Sequence, residues 1–116
     1  MEIQDRTLKF AIRTAKFVKN ISRDVSFEIL AKQLLRSATS IGANMREADS
    51  ASSRKDFINK VSIAKKEAQE TEYWLEVVKG SEFINNESNK KELDVLLAES
   101  HEIVLVLAAI LRKSKQ

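Results

Sequence analysis

Two pairs of glutamates set one helical turn apart, Glu67-x-x-Glu70 and Glu99-x-x-Glu102, and a single histidine, His101, are the residues whose types and spacing could do chemistry. Carboxylates projecting inward from facing helices can hold two metal ions in a four-helix bundle, but such centres also use Glu-x-x-His. His101 has Ala98 three residues before it, so that motif is absent and no metal site is expected. The acids then read as surface or interface ion pairs. Nucleophilic catalysis finds no better footing. There is no cysteine, and one histidine among scattered serines does not make a triad. His101, between Leu97 and Val104, reads as a packed or half-exposed structural residue. No catalytic residue and no cofactor are expected.

The second kind of chemistry is electrostatic. Arg6, Lys9, Arg13 and Lys16 follow one another at spacings of 3, 4 and 3, with Lys19 and Arg23 at the edge of the same face. Residues 1–23 hold six basic and two acidic side chains, the most concentrated charge in the chain. Two readings stay open: a solvated helix face, or a surface for nucleic acid or an anionic protein. Phe10 and Phe17 lie with the apolar set and read as core, not as base-stacking platforms. The overall charge of +3 and pI near 9.2 permit a nucleic-acid partner without requiring one.

The elements that must position these residues are helices. With no proline and only two glycines in 116 residues, the punctuation of turn-rich and sheet folds is missing, and the length suits one domain, residues 1–116. The first helix is predicted over Glu2–Ile21 with two apolar stripes. Leu8, Ala11, Ile12, Ala15 and Val18 form one; Ile3, Phe10, Phe17 and Ile21 form the other. An arc that wide predicts burial against more than one neighbour. Asn20–Asp24 is a polar connection, and Asp24 or Ser26 can cap a second helix.

In that second helix Phe27, Ala31, Leu34, Ala38, Ile41, Met45 and Ala48 recur at spacings of 4 and 3, a heptad seam. The segment Leu34–Met45 is rich in Ser, Thr, Gly and Asn, which are weak helix formers, so close packing must hold it helical. Small residues and Gly42 would let another backbone approach. Beside the seam Arg36, Ser40, Asn44 and Glu47, with Glu70 on the third helix, could form a polar network that fixes the register of neighbouring subunits or ties the chain to itself. A turn over 49–53 follows, with Ser53 and Asp56 as an acidic variant of the capping box.

The third helix carries Phe57, Val61, Ala64, Ala68, Thr71, Leu75 and Val78 at the same spacing and stops at Gly80, a candidate left-handed residue. Tyr73 and Trp74 lie off this seam and could present an aromatic surface. After a polar loop through Asn85 and Asn86, the fourth helix carries Leu93, Leu96, Ser100, Ile103, Leu107 and Ile110, and Lys113 and Lys115 suit its carboxyl end. Four matching seams joined by short connections predict an all-α, antiparallel up-and-down four-helix bundle.

Two runs carry a resemblance. Leu34-Leu35-Arg36-Ser37-Ala38-Thr39-Ser40-Ile41-Gly42-Ala43-Asn44, and the stretch from Asp56 through Lys65-Lys66-Glu67-Ala68-Gln69-Glu70-Thr71-Glu72-Tyr73-Trp74 to Leu75, resemble the bacterial four-helix-bundle proteins first named from intervening sequences of large-subunit ribosomal RNA genes. Within the signature, Arg46, Ala48 and His101 depart from the usual pattern. The resemblance implies a homo-oligomer, with a pentameric ring the expected arrangement, and no catalytic activity. A related branch, the accessory proteins of diversity-generating retroelements, implies RNA or DNA and a reverse transcriptase as partners.

The start, Met1-Glu2-Ile3-Gln4-Asp5-Arg6, has no basic stretch or apolar core of a signal peptide, and no apolar run approaches bilayer length. A cytoplasmic protein with no membrane partner is the expectation. Function stays open between a non-enzymatic nucleic-acid accessory factor using the basic first helix and an oligomeric scaffold for a protein partner.

Overall fold

A computed structural model of the chain describes residues 2–22 and 24–115. Arg23, the last residue of the basic face, lies outside them. The described residues form four helices and no strand: α1 (Glu2–Lys19), α2 (Val25–Asp49), α3 (Arg54–Gly80) and α4 (Glu87–Ser114). Each helix packs on its neighbours in chain order and α1 closes against α4, giving a bundle about 46 Å long and 20–21 Å across. Cross-helix bonds show that neighbours run antiparallel. Arg6 meets Glu99 while Arg13 meets Glu92, and Glu47 meets Lys60 while Ser37 meets Thr71.

The predicted seams are the core. All seven seam positions of α2 are buried, as are Val61, Ala64, Ala68, Thr71, Leu75 and Val78 on α3. Leu93, Leu96, Ser100, Ile103 and Leu107 complete it from α4, while Phe57 and Ile110 pack partly buried at its margin. Alanines on α2 and α3 bring those two helices close. There the Thr71 hydroxyl donates to Ser37 Oγ at 2.8 Å, and Ser37 donates on to the Leu34 carbonyl at 3.1 Å. Two buried hydroxyls thus satisfy each other across the helix pair, which fixes its register as apolar contacts alone would not.

The helix ends follow local chemistry. Asp24, not Ser26, caps α2, its carboxylate accepting from the amides of Ser26 and Phe27 at 2.8 and 3.3 Å. Ser53 caps α3 by accepting from the Asp56 amide, and Asp56 Oδ2 accepts from Ser52 N, one residue earlier than a reciprocal capping box would place it. Asn86 caps α4. α1 ends at Lys19, two residues before the expected Ile21.

Gly80 differs from its expected role. It is the last helical residue of α3, and the left-handed conformation falls on Glu82, at φ 58°. A Cβ on Gly80 would meet no atom within 4 Å. Gly80→Ala is therefore expected to raise stability by about 0.5–1 kcal/mol, chiefly by narrowing the unfolded ensemble. The urea midpoint should rise at unchanged slope.

Candidate functional site: the α1/α2 trough and the charged faces

Only one of the two apolar stripes on α1 enters the core. Ile3, Phe10, Phe17 and Ile21 are buried, and Thr7 and Thr14 are buried between them. Each threonine donates to the carbonyl four residues earlier, Ile3 and Phe10, at 2.9 Å. The other stripe faces outward: Leu8 is 44% and Ile12 47% exposed, Ala15 is exposed and Ala11 half-buried, and only Val18 is buried. α1 thus packs against more than one neighbour, α2 and α4, as the wide arc predicts, yet much of its second stripe stays uncovered.

Beside this stripe runs the weak-helix stretch of α2. Leu8, Ala11, Ile12 and Ala15 from α1 and Thr39, Gly42, Ala43 and Arg46 from α2 wall an open trough of about 660 Å³, with Gln4 and Glu47 toward one end. At its floor Gly42 faces Thr7 of α1. A Cβ on Gly42 would sit 3.4 Å from Thr7 Oγ1 and 3.6 Å from the Thr7 carbonyl carbon, so the approach that Gly42 permits is to α1 of the same chain. Gln4 reinforces it by donating through its side-chain amide to the Met45 carbonyl.

The residues expected as one polar network separate into local contacts. Arg36 bonds Glu67 at 3.3 and 3.4 Å and pairs with Glu70 across the α2/α3 surface. Glu70 also accepts from Trp74 Nε1 at 3.1 Å, so a half-buried indole braces the carboxylate that holds Arg36. Ser40 donates to the Arg36 carbonyl and Asn44 to the Ser40 carbonyl, both within α2. Glu47 pairs with Lys60 at 2.9 Å. Tyr73 is 58% exposed, its ring set edge-on to Trp74 at 5.2 Å, and is the aromatic surface the sequence suggests.

The basic face of α1 is substantially occupied. Arg6 donates in a fork to both oxygens of Glu99 at 2.7 and 2.8 Å, and Arg13 does the same to Glu92 at 2.6 and 2.8 Å. These hydrogen bonds raise both guanidinium pKa values above the ordinary value, and the bond to Asp5 does likewise for Lys9. Lys16, of the four, has no ion pair among the described residues. Two of the four cations thus bolt α1 to α4.

One further acid makes a cross-helix contact. Glu72 meets His101 Nδ1 at 3.1 Å, with the imidazole out in solvent and not packed. Among the described residues no three His, Asp or Glu side chains gather as a metal site would require. No described helix is long and apolar enough to cross a membrane.

A family model described as 23S rRNA-intervening sequence protein matches residues 1–108. The chain belongs to this family. A solved family relative points the same way: a crystal structure of a protein with unknown function from the S23 ribosomal protein family of Bacteroides thetaiotaomicron is 44% identical. The match covers 94% of this chain and 97% of that one, with a TM-score of 0.81. No curated protein matches. The trough lies against the weak-helix segment that carries the family resemblance in the sequence.

Proposed function

We propose that the protein is a non-enzymatic scaffold that works as a homo-oligomeric ring, assembled through the α1/α2 trough. The observation that carries this is the outward stripe of Leu8, Ala11, Ile12 and Ala15, a continuous apolar surface that the chain does not cover itself. Monomeric proteins seldom leave such a face in water, and a neighbouring subunit would bury it. The pentameric number comes from the family resemblance. A cytoplasmic setting and a protein partner engaged by Tyr73 and Trp74 belong to the same reading.

Light scattering across a range of concentrations tests it. The expected mass is a multiple of 13.2 kDa, five-fold for the ring, and Leu8→Glu with Ile12→Glu should give the monomer without loss of helicity. A wild-type protein that stays at 13.2 kDa at all concentrations would refute the proposal.

Nucleic-acid binding is the second reading, supported by the exposed Lys9 and Lys16 and the mild positive charge. A ring would repeat each weak contact, so avidity would raise the overall affinity. Arg6 and Arg13, held by Glu99 and Glu92, contribute least to such a surface.

A further inference from the structure

Charge along the α3/α4 layer is segregated by end. The amino-terminal half of α3 holds Arg54, Lys55, Lys60, Lys65 and Lys66 against Asp56 alone, and its carboxyl half holds Glu67, Glu70, Glu72 and Glu76 against Lys79. α4 runs the other way and repeats the pattern. Beyond Glu102 it has Arg112 and Lys113, with Lys115 just past its end, and no acid, while its first half is mainly acidic. The antiparallel pairing superimposes the two basic ends, as the Arg54 guanidinium donating to the Ser114 carbonyl shows.

This arrangement has a local cost. Basic residues in the first turn of α3 face the positive end of the helix dipole, where acids are the stabilising choice. Asp56 in the same turn and the Arg54 bond to the carboxyl end of α4 offset part of that cost, whereas Lys55 has no ion pair among the described residues. The exposed positions are also chemically uniform. From the start of α3 through Gln69 they are Arg54, Lys55, Asn59, Lys66 and Gln69, every one a hydrogen-bond donor. The two acids there, Asp56 and Glu67, are half-buried and engaged, Asp56 with the Ser52 amide and Glu67 with Arg36. Lys55, Lys66, Arg112 and Lys113 have no ion pair among the described residues.

We infer that this end of the α3/α4 face, through Lys55, Lys66, Arg112 and Lys113 with Asn59 and Gln69, binds the phosphate backbone of duplex nucleic acid. Cations and amides that donate to phosphate oxygens fix a duplex without reading its bases. From Lys55 to Lys66 the track runs about 16 Å, a length over which a duplex presents about ten phosphate charges. The exposed residues of this part of α3 include no apolar side chain and no aromatic platform, as a single strand would favour; the exposed Leu105 lies on α4, ahead of its basic end. The acidic half of the layer repels the same polyanion and confines it to one end.

The inference rests on the nucleic-acid reading and moves its surface from α1 to α3/α4. Fluorescence anisotropy with labelled 20-base-pair RNA and DNA duplexes tests it, with polyglutamate as competitor. Affinity for at least one duplex should fall about a hundred-fold between 50 and 200 mM salt, for about four phosphate contacts. Lys66→Glu with Lys113→Glu should weaken it at least ten-fold at unchanged helicity and oligomeric mass, and the milder Lys66→Ala with Lys113→Ala should weaken it three-fold or more. Lys9→Ala with Lys16→Ala should weaken it less than Lys66→Ala with Lys113→Ala does. Binding lost in the α1 variant and kept in the α3/α4 variants would overturn the inference while leaving the nucleic-acid reading standing. No duplex binding at 50 mM salt would overturn both, and polyglutamate competing as well as a duplex would overturn the assignment of the polyanion.

Discussion

Phe10→Ala is expected to lower the unfolding free energy by about 3–5 kcal/mol, the range for truncating a buried aromatic residue. Phe10 is 2% exposed and sits near the α1/α4 groove, close to Val95, Ala98 and Glu99. α1 is the shortest helix, at 18 residues, and part of its buried face is threonine, so each ring carries a large share of its attachment. A drop in melting temperature of about 12–20 °C follows for a domain of this size. Thermal unfolding followed by circular dichroism measures it. A change under about 1 kcal/mol would mean that α1 is held mainly by its arginine forks to Glu99 and Glu92.

The second large effect is at Gly42, and it depends on side-chain size. Gly42→Ala should be tolerated within about 1 kcal/mol, because its Cβ would make ordinary contacts with Thr7 at 3.4–3.6 Å and alanine is the better helix former. Gly42→Leu should cost about 2–3 kcal/mol, since the branched chain must displace α1 or turn into the trough. Urea titration of the pair separates these outcomes. Equal stability of the two variants would show that close approach of α1 is not what the glycine serves.

The α2 and α3 seams were legible because a strict alternation of four and three over seven positions leaves one face for burial. Gly42 was legible as a point of close approach, but the approaching backbone was not, because that depends on which helix lies across the groove. The two-sided arc of α1 was readable from Leu8, Ile12, Phe10 and Phe17 together. Which side meets the chain's own core was not, since both stripes are apolar along their length.

The candidate site was less visible for physical reasons of distance. Arg6 and Arg13 look like a free basic stripe until the register of α1 on α4 brings Glu99 and Glu92, 93 and 79 residues away, within reach. The basic end of α3/α4 was missed because it is assembled from two short stretches, each ordinary alone. Its one local signal was the pair Arg54 and Lys55 at the start of a helix, where a carboxylate is favoured. Gly80 misled for a related reason: glycine permits a left-handed turn, but the loop places that turn at Glu82.

The two threonines on the inner face of α1 give the molecule an uneven grain. Because Thr7 and Thr14 donate to carbonyls of their own helix, α1 keeps its buried polar groups bonded whether docked or not, and parting it from the bundle orphans no hydroxyl. Ser37 and Thr71 also reach carbonyls of their own helices, Leu34 and Glu67, but they are joined to each other as well, so separating α2 from α3 breaks a hydrogen bond between two buried hydroxyls. Release of α1 as a unit, at the cost of its arginine forks and buried rings, is therefore the excursion expected to leave the paired hydroxyls of α2 and α3 intact. Any partner seated in the trough touches both α1 and α2, and would act as a clamp that closes this hinge.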